Sequence, residues 1–218
     1  RSEDLKNWEE TDRFTLAGTW ECPDLFYLKD DEGHGCWFFW TADGYCCPGD
    51  FDGYHFTFRG KMQKAYVNPL PYAAQSFSGI EGRTISVPWL RMNNDGRTFT
   101  GAYGIPTEMT CKVVGDEFIL IQQPVRELWN HASLIRDGVP SAGQKKISYQ
   151  TEGCGKAIIV KLTGNAEEGR AYSWSVNNCR VSYDPFYGIL NVDGKKTAIE
   201  KSYSEFCFII DDRIMEIF

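Results

Sequence analysis

"CWFFWTADGYCCPGDFDGYHFTF", Cys36 to Phe58, decides the fold class. Three aromatic-rich runs are cut by Asp43-Gly44 and Asp52-Gly53, and the runs are too short for a helical period. Asp-Gly tolerates the two positive φ angles of a tight hairpin turn, so each pair predicts a reversal between strands. The same punctuation returns further along, in "NNDGRTFT" (93–100), "VVGDEFILI" (113–121) and "ILNVDGKKTAI" (189–199). Strand-length runs at a spacing of about ten residues make this an all-β chain. Helical periodicity is nearly absent; "QQPVRELWNHASLIRD", Gln122 to Asp137, is the one candidate helix or linker.

Three zones follow. Residues 1 to about 16 read as a strand end and a polar connection, and residues 17 to about 124 as two similar meander-like units. One unit runs through Arg59 and the other from Tyr66 to Gln122. After a linker at 125–145, the runs "KKISYQ", "KAIIVKLTG", "AYSWSV", "CRVSYD", "FYGILNV" and "EFCFIIDDRIMEIF" predict a β-sandwich module over 146–218. Four-stranded units of about fifty residues each fit propeller blades. Two blades cannot close a ring, so their open edges predict an oligomer, a strand swap or a partner chain.

The 218 residues are long enough for one large domain or two modest ones, and 15% of them are aromatic. The net charge of -7 and a pI near 5.1, without a Lys/Arg cluster, exclude nucleic acid and anionic membranes as partners. Apolar runs such as Phe206 to Ile210 are too short to span a bilayer. The charged opening "RSEDLKNWEE" does not read as a secretory leader, and a start on Arg1 points to a chain processed or cut from something longer. Eight cysteines (Cys22, Cys36, Cys46, Cys47, Cys111, Cys154, Cys179 and Cys207) form no CxxC pair. They read mostly as reduced, buried thiols, which leans toward a reducing, cytoplasmic compartment.

In "GTWECPDLFYL", Gly18 to Leu28, one carboxylate stands between Trp20 and the block Leu25, Phe26 and Tyr27. Glu21 is either an ordinary solvent-facing strand glutamate or a general acid kept protonated by apolar surroundings. His34, Cys36, Cys46, Cys47 and His55 match no usual spacing of paired zinc ligands, so strand residues in a hairpin are the preferred account and no metal is expected. "DEGHGCW" lacks the helix and lysine of a phosphate loop, and no Gly-x-Ser-x-Gly elbow occurs. No cofactor is expected. Most aromatics read as core, whereas a sugar site wants an exposed ring beside carboxylates and amides, a role open to Trp40, Tyr72 and Trp89.

At "TWECPDLFYL" the sequence resembles the glycoside hydrolases of family 32, the invertases, levanases and inulinases, whose acid/base motif is Glu-Cys followed by Pro-Asp and a hydrophobic pair. Other stretches follow in the family's order: "SEDLKNWEE" (2–10), "ADGYCCPGDFDGYHF" (42–56), "PYAAQSF" (71–77), "GRTISVPWLRM" (82–92), "GIPTEMT" (104–110), "QQPVREL" (122–128) and "FIIDDRIMEIF" (208–218). The resemblance implies a five-bladed β-propeller followed by a β-sandwich. It also implies a retaining β-fructofuranosidase or levanase mechanism on sucrose or fructans, in which two carboxylates flank the scissile bond. By motif, Glu21 becomes the acid/base, Cys22 and Tyr72 neighbours that tune or orient it, and Trp89 a sugar-facing aromatic.

The sequence also departs from the family pattern. Neither the Asn-Asp-Pro-Asn nucleophile segment nor the Arg-Asp-Pro motif occurs, Leu70-Pro71 stands where an Asp is usual, and "TEMT" lacks the usual Arg. The chain therefore reads as the C-terminal portion of such an enzyme: the end of blade three, blades four and five, and a shortened sandwich. Its activity would depend on an N-terminal portion on another polypeptide. The alternative is a non-catalytic carbohydrate-binding or structural remnant.

Overall fold

The computed structural model describes residues 1–94, 96–134, 138, 157–163, 171–176, 179–199, 205–211 and 214–218. Its described residues are all-β apart from one short helix, and they divide into two units, Arg1–Leu128 and Trp129–Phe218.

In the first unit, β1 (Asp24–Lys29), β2 (Gly35–Trp40), β3 (Tyr45–Phe51) and β4 (Phe56–Phe58) pair antiparallel in chain order, and β5 (Gln63–Lys64) adds to β3. Both Asp-Gly pairs lie in the turns they predict. Between β2 and β3, the Thr41 amide donates to the Tyr45 carbonyl at 3.0 Å and the Gly44 amide to the Thr41 carbonyl at 2.9 Å. Between β3 and β4, the Asp52 carboxylate accepts from the amides of Tyr54 and His55, both at 2.7 Å. A second sheet follows, built from β6 (Pro71–Ser76), β7 (Thr84–Leu90), β8 (Ala102–Tyr103), β9 (Thr107–Val114) and β10 (Glu117–Pro124). Its order is β10-β9-β7-β6, with β8 paired to β7.

Alternation along the strands builds one core between these two sheets. Phe26, Leu28, Cys36, Phe38, Trp40 and Cys46 point in from the first sheet, and Ala74, Met109 and Cys111 meet them from the second. Each large side chain so buried contributes about 1.5–3 kcal/mol. The opposite face of the first sheet is apolar as well: Phe14 packs against Phe39 and Phe58 at 5.0 Å and against Phe56 at 6.0 Å. Cys46 and Cys47 are both buried, and burial pushes the Cys46 thiol up to about 12. The seven described cysteines are free thiols, and Cys154 lies outside the described residues.

One expectation changes. The strand end foreseen in residues 1 to about 16 is not formed, since β1 starts at Asp24. Asp4 instead gathers the amides of Lys6 and Asn7 at 2.8 Å and the Asn7 side chain at 2.7 Å, a local turn that competes with a strand. In the stretch from Gln122 to Asp137, read as a helix or a linker, Gln122 to Pro124 close β10 and α1 covers Glu127–Asn130. Residues 135–137 lie outside the described set.

In the second unit, β11 (Ala157–Thr163), β16 (Glu205–Asp211) and β17 (Ile214–Ile217) form one sheet in the order β11-β16-β17. β12 (Tyr172–Val176), β13 (Cys179–Asp184), β14 (Ile189–Val192) and β15 (Lys195–Ala198) form a four-stranded meander. Val181, Tyr183 and Leu190 from the meander share a core with Phe206, Phe208 and Ile210. The predicted strand "KKISYQ" lies outside the described residues.

Candidate functional site

Glu21 sits in a bend ahead of β1, and one backbone hydrogen bond ties it to the β2–β3 turn. Its carbonyl accepts from the Ala42 amide at 2.9 Å, and the Ala42 carbonyl accepts from the Ala73 amide at 2.8 Å. This relay joins the Glu21 bend, the β2–β3 turn and β6. Asp24 adds a latch, its carboxylate accepting from the Leu25 amide at 2.8 Å and from the Ser76 amide at 2.7 Å.

The β6–β7 register slips between Tyr72 and Gln75, with Ala73 at φ 47° inside the slip. A bulge of this kind re-aims the side chain beside it. Tyr72, the last paired residue before the slip, stays opposite Trp89, and its hydroxyl donates to Glu21 Oε1. Gln75 Nε2 donates to the Cys22 carbonyl at 3.2 Å, and Cys22 is itself left-handed at φ 49°. Two non-glycine residues in this sparsely populated region therefore flank one carboxylate–phenol pair, the kind of local strain that gathers where a site must be held in one geometry.

The Tyr72 ring is clamped in turn. The Arg91 guanidinium lies 4.0 Å over its centroid and also donates to the Pro69 carbonyl at 2.6 Å. Trp89 meets the same ring edge-on, with centroids 6.3 Å apart at 72°, and stays 41% exposed. Gly101 closes against the indole edge: a Cβ there would lie 2.2 Å from Trp89 Nε1.

Of the residues singled out from sequence, Glu21, Cys22, Tyr72 and Trp89 come together. Trp40 does not. It is 1% exposed in the core, with Phe26 at 6.1 Å and Tyr66 at 5.7 Å, because it shares the β2 face of Cys36 and Phe38. The apolar collar expected around Glu21 is also absent among the described residues: Trp20 is 80% exposed, Phe26 turns into the core, and Glu21 itself is exposed. The left-handed turn at Cys22 takes Glu21 out of the strand alternation that would have buried it. His34 Nδ1 lies 2.9 Å from Asp30, whose carboxylate raises the imidazole above its ordinary value, and His55 Nδ1 lies 3.5 Å from Asp52. Among the described residues, no group of three or more His, Cys, Asp or Glu could hold a metal ion. Sequence reasoning missed Arg91 and Gly101. The only signal for Arg91 is its two-residue offset from Trp89, which puts both on one face.

Residues 1–124 match the family described as glycosyl hydrolases family 32 N-terminal domain. The chain belongs to glycoside hydrolase family 32. Members of this family hydrolyse O-glycosyl bonds. The expectation that the chain is the C-terminal portion of such an enzyme is thereby corrected, since most of it matches the family's N-terminal domain. A levanase of Bacillus subtilis (strain 168) is 30% identical over 155 residues, which are 58% of this chain and 23% of the levanase. Among solved structures, the exo-inulinase of Aspergillus awamori superposes with a TM-score of 0.76 at 20% identity, covering 100% of this chain and 53% of that one. The fructofuranosidase of Schwanniomyces occidentalis complexed with fructosylnystose gives 0.78 at 16% identity, covering 98% and 55%. This chain thus spans about half the length of these solved family 32 structures and a smaller share of the levanase.

Proposed function

We propose that this chain supplies the acid/base carboxyl of a retaining fructosyl hydrolase acting on sucrose or a fructan. In that reading Glu21 protonates the leaving glycosidic oxygen, then as a carboxylate takes a proton from the water that releases the sugar. A second carboxylate about 5–5.5 Å away attacks the anomeric carbon. No segment of the 218 residues matches the family's nucleophile motif, and Asp24 is not a substitute because its oxygens are engaged by the Leu25 and Ser76 amides. Tyr72 holds Glu21, Arg91 fixes the Tyr72 ring, the Cys22 backbone sets the bend, and Trp89 offers an open ring face to the sugar. The two sheets of the first unit are read as propeller blades and the two sheets of the second as a sandwich.

The observation that carries this reading is the pair of Glu21, in the bend ahead of β1, with Tyr72 on β6, both within the residues that match the family. Relatives solved with fructosylnystose or with sucrose support a fructosyl ligand. The test is Glu21→Gln in the protein that carries this chain. Hydrolysis of sucrose or levan is expected to fall about 10²–10⁴-fold, with a smaller loss for fructosides whose leaving group needs no proton. Unchanged hydrolysis in Glu21→Gln would overturn the assignment. Fructan binding that survives Glu21→Ala but not Trp89→Ala, with no fructose released by the unmutated protein, would establish a binding module instead.

A further inference from the structure

Tyr72, Trp89 and Tyr103 stand opposite one another across three adjacent strands. Tyr72 on β6 pairs with Trp89 on β7, and Trp89 pairs with Tyr103 on β8. Directly opposed residues share a sheet face, and neighbouring strands lie about 4.8 Å apart. The sheet therefore carries a row of three aromatics that begins at the Glu21 carboxyl and runs away from it for about 10 Å. Exposure rises along the row, from half-buried Tyr72 through Trp89 at 41% to Tyr103 at 81%.

The three rings are not equivalent. Tyr72 is occupied, its hydroxyl on Glu21 and its face under Arg91. Trp89 is seated by Gly101 along one edge. The Tyr103 side chain makes no hydrogen bond or ring contact among the described residues, and its two-residue strand gives it no core to fill. One exposed aromatic is ordinary on a protein surface. A registered row of them, one end hydrogen-bonded to a candidate acid, is a built surface.

Resting on the reading of Glu21 as acid/base, we propose that this row is a stacking track for an oligosaccharide and that Tyr103 determines chain-length preference. The C–H face of a sugar ring packs on an aromatic face, and strand spacing brings successive rings within reach of successive sugar units. The unit next to the scissile bond stacks on Trp89, and the following unit reaches Tyr103. A disaccharide is too short to reach Tyr103, whereas a longer fructosyl chain covers it.

The experiment compares kcat/KM for a fructan oligosaccharide of about four units with that for sucrose, in Tyr103→Ala and Tyr103→Phe. Tyr103→Ala is expected to lower the ratio about tenfold, in line with the strength of aromatic stacking, and Tyr103→Phe to restore most of it. A parallel arm measures binding of the same two sugars calorimetrically in a Glu21→Gln background, where Tyr103→Ala is expected to weaken the oligosaccharide about tenfold more than sucrose. An unchanged ratio and unchanged affinity, or equal losses for both sugars, would overturn the track. Absence of hydrolysis in the unmutated protein would refute the proposed function alone, because the binding arm still decides the track.

Discussion

Replacing Gly101 with alanine separates the two jobs this glycine performs. Its φ of 76° lies in the left-handed region, where an L side chain costs about 1–2 kcal/mol. Alanine recovers about 0.4–1 kcal/mol of that by restricting the unfolded chain. The new Cβ would also lie 2.2 Å from Trp89 Nε1 and 3.0 Å from the Leu90 carbonyl oxygen. The indole can swing aside, but the carbonyl belongs to β7 and cannot, so an overpacking penalty of about 1–3 kcal/mol is added. Gly79 is the control: its φ is 78°, and nothing lies within 4 Å of an added Cβ. Urea unfolding of the first unit should place Gly79→Ala about 1 kcal/mol or less below the parent and Gly101→Ala about 1–3 kcal/mol lower still. Displacement of the indole should also remove from Gly101→Ala the near-ultraviolet circular dichroism band that Trp89→Phe loses. Equal destabilisation by the two alanines, with that band intact in Gly101→Ala, would refute the idea that Gly101 seats Trp89.

Two further outcomes test the framework of the site. Asp24→Ala strands the Ser76 amide that the carboxylate accepts at 2.7 Å, a loss of about 1–3 kcal/mol, whereas Asp24→Asn keeps an acceptor and should lose less. Faster hydrogen exchange at Ser76 in Asp24→Ala checks it, and unaltered exchange counts against the latch. The second outcome concerns Arg83, which grips Glu108 at 2.9 and 2.7 Å and Glu127 at 2.6 and 3.1 Å. The guanidinium holds the Glu127 carboxyl at about 2, below its ordinary 4.5. A lowered folded-state value means that this support is complete above about pH 4.5 and fades as pH falls toward 2. Exchange of the Leu128 amide, bonded to the Val125 carbonyl at 3.1 Å, should quicken through that window, and Glu127→Gln should erase the dependence. The same profile in Glu127→Gln would dismiss the pair as the cause.

The first sheet was legible because its turns are chemically marked. Asp43-Gly44 and Asp52-Gly53 sit between β2, β3 and β4, with the positive φ taken by Gly44 at 74° and Gly53 at 94° and not by either aspartate. Which face of β2 is inside was not legible. In "GCWFFW" every residue after Gly35 is apolar, since Phe39 meets Phe14 while Trp37 packs on Tyr27 and Phe51 at 5.4 Å. A strand apolar on both faces gives no alternation to read, and for that reason a sugar-facing role stayed open to Trp40 beside its reading as core. The β6 bulge left no mark either: its left-handed residue is Ala73, a type that seldom adopts that conformation.

The site shows why neighbours in sequence are a poor guide to surroundings in space. The string around Glu21 reads as a carboxylate among aromatics, but in the fold Trp20 points to solvent and Phe26 into the core, so neither surrounds it. The rings gathered at Glu21 come from residues 72 and 89, carried there by β6 and β7, and the Ala42 relay and the Asp24 latch hold β6 beside the bend. Strand pairing supplies that neighbourhood. A change in β6–β7 register would undo it while leaving "TWECPDLFYL" intact, because slipping one residue exchanges the faces of every side chain on the strand. The geometry that makes Glu21 a candidate acid therefore resides in the bulge at Ala73 as much as in the glutamate.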